Sequence, residues 1–174
     1  MKRRPLVLGA AALAVVAGAG TALWRARVGN QPEPPAAIDL WTFTFERLDG
    51  TRLAMAEWRG RPLLLNFWAT WCAPCVVEMP LLDRFASERA ASGWRVLALA
   101  LDRAEPVRRF VADRKLALPV ALAGSEGFSL SRALGNVHGA LPFTAVFDSA
   151  GTRTDHTLGT VSADLLSRWV DKTR

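Results

Sequence analysis

Two cysteines and two histidines are all the thiol and imidazole chemistry that 174 residues supply. That scarcity excludes a disulfide scaffold, because such folds are short, carry several cysteine pairs and lack the apolar content seen here, 51% of the chain. It also excludes a zinc finger. His138 and His156 stand far from Cys72 and Cys75 and match no common ligand spacing, and a structural zinc site needs four ligands. Acidic charge is in short supply as well, with 16 Asp and Glu against 22 Lys and Arg. The imbalance is local: from Ile38 onward, 17 basic residues face 15 acidic ones. Most of the excess belongs to Lys2, Arg3, Arg4, Arg25 and Arg27, opposed only by Glu33. No stripe of Lys or Arg interleaved with aromatics occurs, so nucleic acid is not an expected partner.

The longest uncharged run, Pro5 to Trp24, lies between Lys2-Arg3-Arg4 and Arg25-Ala26-Arg27. About twenty such residues span a bilayer core of roughly 30 Å as a helix. The run therefore predicts a membrane anchor over residues 1–27. The heavier positive charge before it keeps the N-terminus in the cytoplasm. A cleaved signal is the alternative, since Ala17-Gly18-Ala19 offers a cleavage site and Arg3-Arg4 ahead of Leu6-Val7-Leu8 faintly resembles a twin-arginine signal. Both readings export the remainder of the chain. The expected location is the inner (cytoplasmic) membrane with the domain in the periplasm or otherwise outside the cytoplasm, or a soluble periplasmic protein after cleavage. Pro32, Pro34 and Pro35 make residues 28–37 a semi-extended linker. Residues 38–174 form the folded domain.

Inside that domain, polar and apolar residues alternate from Leu40 to Arg47, Asp49-Gly50 supplies a turn and Arg52 to Met55 returns, which predicts an N-terminal β-hairpin. Leu63 to Phe67 is an apolar strand that delivers Cys72 and Cys75 to the start of a helix running to about Ala91, with Pro80 expected to kink it. Trp94 to Leu101 is a second buried strand, and Pro106 at the first helical position opens a further helix. Strand, helix, strand implies parallel pairing with a right-handed crossover. A short strand at Val120 to Ala123, a short helix at Phe128 to Leu134, strands at Phe143 to Phe147 and Thr152 to Leu158, and a helix capped by Ser162 complete the chain.

A thiol at a helix N-terminus meets unpaired N–H groups and the positive end of the helix dipole, which favour the thiolate. Cys72 is therefore the expected nucleophile, and Cys75, one turn inside, the resolving thiol. The same pair is also compatible with metal binding, which leaves a copper-carrying assembly chaperone as the alternative to redox exchange. A peroxidase is disfavoured because Ala69 stands where such sites carry threonine.

The stretch Asn66-Phe67-Trp68-Ala69-Thr70-Trp71-Cys72-Ala73-Pro74-Cys75 resembles the active site of the thioredoxin superfamily. Asn66 in place of a buried Asp, and the continuation Cys75-Val76-Val77-Glu78-Met79-Pro80, resemble its TlpA/ResA-type thiol:disulfide oxidoreductases more narrowly. The resemblance implies an α/β thioredoxin fold, a mixed central sheet flanked by helices, preceded by the N-terminal hairpin and the anchor or signal segment. It implies catalysis by Cys72, Cys75 and Glu78 with no cofactor beyond the redox-active disulfide, and a Glu78 buried near the thiols with a raised pKa. It implies that Pro142 is the fold's cis-proline and that Leu141 and Pro142 receive substrate; Trp71, by its place beside the nucleophile, offers either a flat apolar contact for a partner protein or a lid over the disulfide. Phe143 departs from the family's usual threonine after this proline, and Ala140 lengthens the preceding loop. Clients would be disulfide-bearing proteins, for example in cytochrome c or copper-site assembly, with a membrane thiol reductant as electron donor. The absence of a histidine between the cysteines favours a reductant over an oxidant.

Overall fold

The computed structural model describes residues 39–173, so the predicted anchor over 1–27 and linker over 28–37 lie outside the described residues. Among the described residues no helix is long and apolar enough to cross a membrane. Seven strands form one mixed sheet in the order β2-β1-β5-β4-β3-β6-β7. They are β1 Thr44–Arg47, β2 Arg52–Ala54, β3 Leu63–Trp68, β4 Arg95–Ala100, β5 Val120–Leu122, β6 Phe143–Phe147 and β7 Arg153–Leu158. Four helices cover it: α1 Ala73–Arg89, α2 Ala104–Arg114, α3 Gly127–Ala133 and α4 Ala163–Lys172. Strands β3, β4 and β5 run parallel, joined through α1 and α2, while β6 and β7 are antiparallel to their neighbours. This is the thioredoxin-like α/β architecture that the resemblance implied.

Strand periodicity sorts the core into two layers. On one face Leu64, Trp68, Val96, Ala98 and Val146 pack against Met79, Leu82 and Phe85 of α1 and against Leu166 and Trp169 of α4. On the other, Leu63, Leu65, Phe67, Leu97, Phe143 and Phe147 pack against Leu130 of α3 and against Leu40, Trp41 and Trp58 near the N-terminus of the domain. Because β3 is buried on both faces, it reads as a continuous apolar run rather than an alternating one. The exception is Asn66, whose position in the alternation puts it on the α1 face.

Three expectations shift. The alternation from Leu40 does not begin as strand: Leu40–Thr42 is a turn of 3-10 helix, because the Asp39 carboxylate accepts the Trp41 N–H at 3.1 Å and caps it. The Trp41 indole N–H then donates to the Gly151 carbonyl at 3.0 Å, tying this turn to the β6–β7 connection. The hairpin is not a prelude to the sheet but part of it, since β1 pairs antiparallel with β5 through Glu46 opposite Leu122 and Arg47 opposite Ala121. Helix α2 begins at Ala104, so Pro106 is its third residue, where an N–H would have no intrahelical partner in any case. Pro80 lies on the exposed side of α1, and the helix runs through it to Arg89, leaving the Val76 carbonyl without its usual donor.

Candidate active site

Strand β3 ends at Trp68 and the chain turns at once into α1. The turn is closed by the Cys72 N–H donating to the Ala69 carbonyl at 3.2 Å. Thr70 is held from below: its N–H and hydroxyl both donate to Asp102 Oδ2, at 3.0 and 2.5 Å. Asp102 follows β4, and its other oxygen accepts the Arg103 N–H at 2.7 Å. Burial opposes ionisation of Asp102, but the hydrogen bonds from Thr70 and Arg103 outweigh it and hold its carboxyl below the ordinary aspartate range. The turn that presents Trp71 and Cys72 is thus anchored to the neighbouring parallel strand. Trp71 points outward and is 66% exposed, whereas Trp68 is fully buried against Phe110.

Cys72 caps α1, and its Sγ accepts the Cys75 N–H at 3.3 Å. Pro74 in the first helical turn contributes no N–H, and the Cys75 N–H, which has no intrahelical acceptor, is the first-turn donor that meets the sulfur. Cys72 and Cys75 form a disulfide, with their Cα atoms 5.3 Å apart. Cys72 retains 6% exposure and Cys75 none, so only the first cysteine touches solvent at all. Upon reduction, a thiolate at Cys72 would keep both the N–H donor and the positive end of the helix dipole.

Glu78 lies on the second turn of α1, on the same buried face as Cys75. Residues three apart on a helix have Cβ atoms about 5–6 Å from each other, which makes the carboxyl a neighbour of the inner thiol. It is 3% exposed. Its Oε1 accepts from the Asn66 amide at 2.8 Å and its Oε2 from the Val161 N–H at 2.8 Å. The Asn66 amide also donates to Thr144 Oγ1 at 3.0 Å, and Asn66 and Thr144 are paired directly across β3 and β6. Burial raises the Glu78 carboxyl above the ordinary glutamate range, and the Val161 and Asn66 donors offset this only in part. No cation balances it among the described residues, whose ion pairs join Arg109 to Glu105 and Lys172 to Asp155. If the Asn66 amide turns over, its oxygen can accept a proton-bearing Glu78 oxygen and the Thr144 hydroxyl together, so the same three side chains accommodate a neutral Glu78.

Pro142 immediately precedes β6, whose first residue, Phe143, pairs with Phe67 near the end of β3. Leu141 and Pro142 therefore lie at the Cys72 end of the sheet. The Leu141–Pro142 bond is cis, and the Pro142 carbonyl accepts the Gly159 N–H at 2.9 Å. Phe143, in place of threonine, is fully buried with its ring tilted against that of Phe67, centroids 5.9 Å apart, so its role is in the core. The structure thus gathers Trp71, Cys72, Cys75 and Glu78 at one helix end, with Leu141 and Pro142 at the same edge of the sheet. His138 sits exposed on the loop before Pro142, apart from the cysteines in sequence. Sequence reasoning missed Asp102, Thr144 and Val161. Thr144 could have been found from the register between β3 and β6; Val161 contributes only a backbone N–H and has no side-chain signature. Among the described residues no group of three or more His, Cys, Asp or Glu side chains is placed to hold a metal ion.

Comparison with known proteins agrees with this geometry. Residues 36–164 match the Redoxin family. The chain is 25% identical to the thiol-disulfide oxidoreductase ResA of Bacillus cereus (strain ATCC 10987 / NRS 248) over 174 residues, covering 99% of this chain and 98% of that protein. It is 31% identical to the thioredoxin-like protein YneN of Bacillus subtilis (strain 168) over 133 residues, 74% of this chain and 75% of that one. Among solved structures, MTB dsbF in its mixed oxidized and reduced forms superposes with a TM-score of 0.66 at 25% identity, covering 77% of this chain and 96% of that chain.

Proposed function

From a chain that belongs to the Redoxin family, and is a protein-disulfide oxidoreductase of the ResA/TlpA type within the thioredoxin superfamily, we propose a membrane-tethered reductant of selected client proteins outside the cytoplasm. The observation that carries this reading is the Cys72–Cys75 pair at the start of α1, with the outer sulfur on a helix N–H and a buried carboxyl beside the inner one.

In the reduced protein, the Cys72 thiolate attacks one sulfur of a client disulfide. A Cys72–client disulfide forms, the client S–S bond breaks, and the departing client thiolate takes a proton from solvent. Cys75 then loses its proton to Glu78, attacks the Cys72 sulfur and expels the second client thiolate, which is protonated in turn. Two electrons pass from the protein dithiol to the client disulfide. A membrane thiol reductant returns the protein to the dithiol by the same exchange in reverse. A raised pKa suits Glu78 to the proton transfer, because an acid and base working near neutral pH must hold and release protons there. Trp71, Leu141 and Pro142 form the client-facing rim. Clients of cytochrome c or copper-site assembly fit the reading, as does the alignment with ResA over nearly the whole chain, which includes the segment before the domain.

Full-length reduced protein should reduce insulin disulfides catalytically when supplied with dithiothreitol. Anaerobic titration of the same sample with copper(I) and zinc provides the contrast. Tight metal binding without turnover would overturn the enzyme reading in favour of a metal chaperone. Placement at the membrane has its own check. Twenty uncharged residues insert through the hydrophobic effect, whereas charge pairing is screened by salt. The protein should stay with the membrane fraction through a high-salt wash and be released by detergent. Recovery as a soluble form lacking its first residues would reject the tether, and recovery in the cytoplasm would reject export.

A further inference from the structure

Glu78 is fixed on one side only. Its Oε2 accepts the Val161 backbone N–H at 2.8 Å, and a backbone N–H donates whatever the charge on its partner. A proton on this carboxyl therefore resides on Oε1, which meets the Asn66 amide at 2.8 Å. On that side every group can reverse its hydrogen bond. Asn66 Nδ2 gives one hydrogen to Glu78 Oε1 and the other to Thr144 Oγ1 at 3.0 Å, the pattern that suits an ionised Glu78. Asn66 Oδ1, the other end of the same amide, is buried and has no hydrogen-bond partner among the described residues. An unmet buried acceptor is costly, so the charge on Glu78 is what holds the amide this way round. A half-turn exchanges the two ends. Oδ1 then accepts both the proton on Glu78 Oε1 and the hydroxyl hydrogen of Thr144.

The surroundings leave this choice to Asn66. Burial, the Val161 N–H and the Asn66 amide are what act on the Glu78 carboxyl in the oxidised protein, where the disulfide itself does not titrate. Around it, β3 brings Asn66, β6 brings Thr144, the segment before α4 brings the Val161 N–H, and α1 itself brings Cys75. Among the described residues no charged side chain pairs with it, and Asn66 is the one side chain that hydrogen-bonds to it. A proton arriving at Oε1 would point at an N–H in the observed orientation. Donor would face donor until the amide turns.

We propose that Asn66 is the positioning residue for proton transfer at Glu78: its N–H holds Oε1 as a carboxylate base, and a half-turn of the amide then presents its oxygen to the proton that arrives from Cys75. This rests on the reading of Cys72–Cys75 as a dithiol that exchanges with protein disulfides. The Cys75 S–H bond breaks and the Glu78 Oε1–H bond forms. The Cys75 thiolate attacks the Cys72 sulfur and expels the second client thiolate, with the electron pair of the broken S–S bond. That thiolate takes the proton from Oε1, and the amide turns back.

Asn66 is one of three asparagines in the chain, so selective 15N labelling makes its side-chain amide readable by NMR in the full-length oxidised protein. Cross-relaxation from its NH2 hydrogens to the Thr144 methyl group should be present above the Glu78 midpoint and lost below it. In Glu78→Gln it should be absent at every pH, because the Val161 N–H claims the glutamine oxygen and leaves its NH2 facing Asn66. Cross-relaxation that persists through the wild-type titration would overturn the proposal, and that result needs no variant to fold. Kinetics give a second readout. Asn66→Leu removes the donor to Oε1, which should raise the Glu78 midpoint by about one pH unit and slow the second step of single-turnover insulin reduction about tenfold at neutral pH. In a Glu78→Gln background the same substitution should change that step by less than about twofold. Equal losses in both backgrounds would show a general structural role and overturn the proposal. Wild type that turns its amide yet reduces no insulin would instead overturn the underlying reading of the cysteines.

Discussion

Cys72→Ser is expected to reduce disulfide exchange to the uncatalysed background, while Cys75→Ser retains the first attack and stalls as a covalent complex with its client. A serine hydroxyl is not ionised near neutral pH and cannot form a disulfide, so the first variant loses the nucleophile and the bond together. The second loses only the sulfur that resolves the mixed disulfide. The asymmetry follows from position. Cys72 caps α1, accepts the Cys75 N–H and is the cysteine that keeps some exposure, whereas Cys75 lies inside the first turn and is fully buried. Non-reducing gels of each variant incubated with insulin separate the outcomes. Accumulation of the covalent complex with Cys72→Ser rather than Cys75→Ser would reverse the two roles.

Glu78→Gln is expected to change the pH dependence of both exchange and stability. In the folded protein, burial raises the Glu78 pKa above its unfolded value. Between those two values the native state holds a proton that the unfolded chain has lost, so stability falls as pH rises through that window. The contribution is fully present below the unfolded pKa and is gone above the folded one. Glutamine cannot titrate, and it can keep the network: its oxygen accepts the Val161 N–H, and its amide donates to Asn66 once that side chain turns over. Denaturant melts across acid to neutral pH should therefore show a slope in wild type that is absent in Glu78→Gln. In the reduced protein, a carboxylate beside the thiols raises their pKa by like-charge repulsion, and the groups titrate together. Removing the charge should lower the pH midpoint of Cys72 alkylation and slow the second step of exchange, where Cys75 must lose a proton. Superimposable profiles for wild type and Glu78→Gln would make Glu78 a spectator.

What the sequence revealed and what it concealed divide along the range of the interactions involved. The β3 strand and the cysteine-bearing helix were legible because an apolar run, a Cys-Ala-Pro-Cys start and the helical spacing of Val77, Leu81, Leu82 and Phe85 are local signals, although Val77, unlike Leu82 and Phe85, faces solvent. The Ser162 cap of α4 was legible for the same reason, its side chain accepting the Leu165 N–H at 3.2 Å. The N-terminal hairpin was visible as a hairpin, yet its docking onto β5 was not, since antiparallel pairing between strands so far apart in the chain leaves no mark on either. At the site, the residue types that do chemistry stood out, but their supports did not. Asn66 reaches Glu78 only because strand alternation turns it toward α1, and Thr144 joins them only because of the β3–β6 register. Asp102 supports the Cys72 turn from a different strand.

The most direct measurement is the order in which the two thiols of the reduced full-length protein react with iodoacetamide, mapped by mass spectrometry over a pH series. The helix N-terminus and the burial of Cys75 require Cys72 to be modified first, with a midpoint below the ordinary cysteine value of about 8.5. Modification of Cys75 ahead of Cys72, or of both together at that ordinary value, would contradict the account of a thiolate held ready at the start of α1.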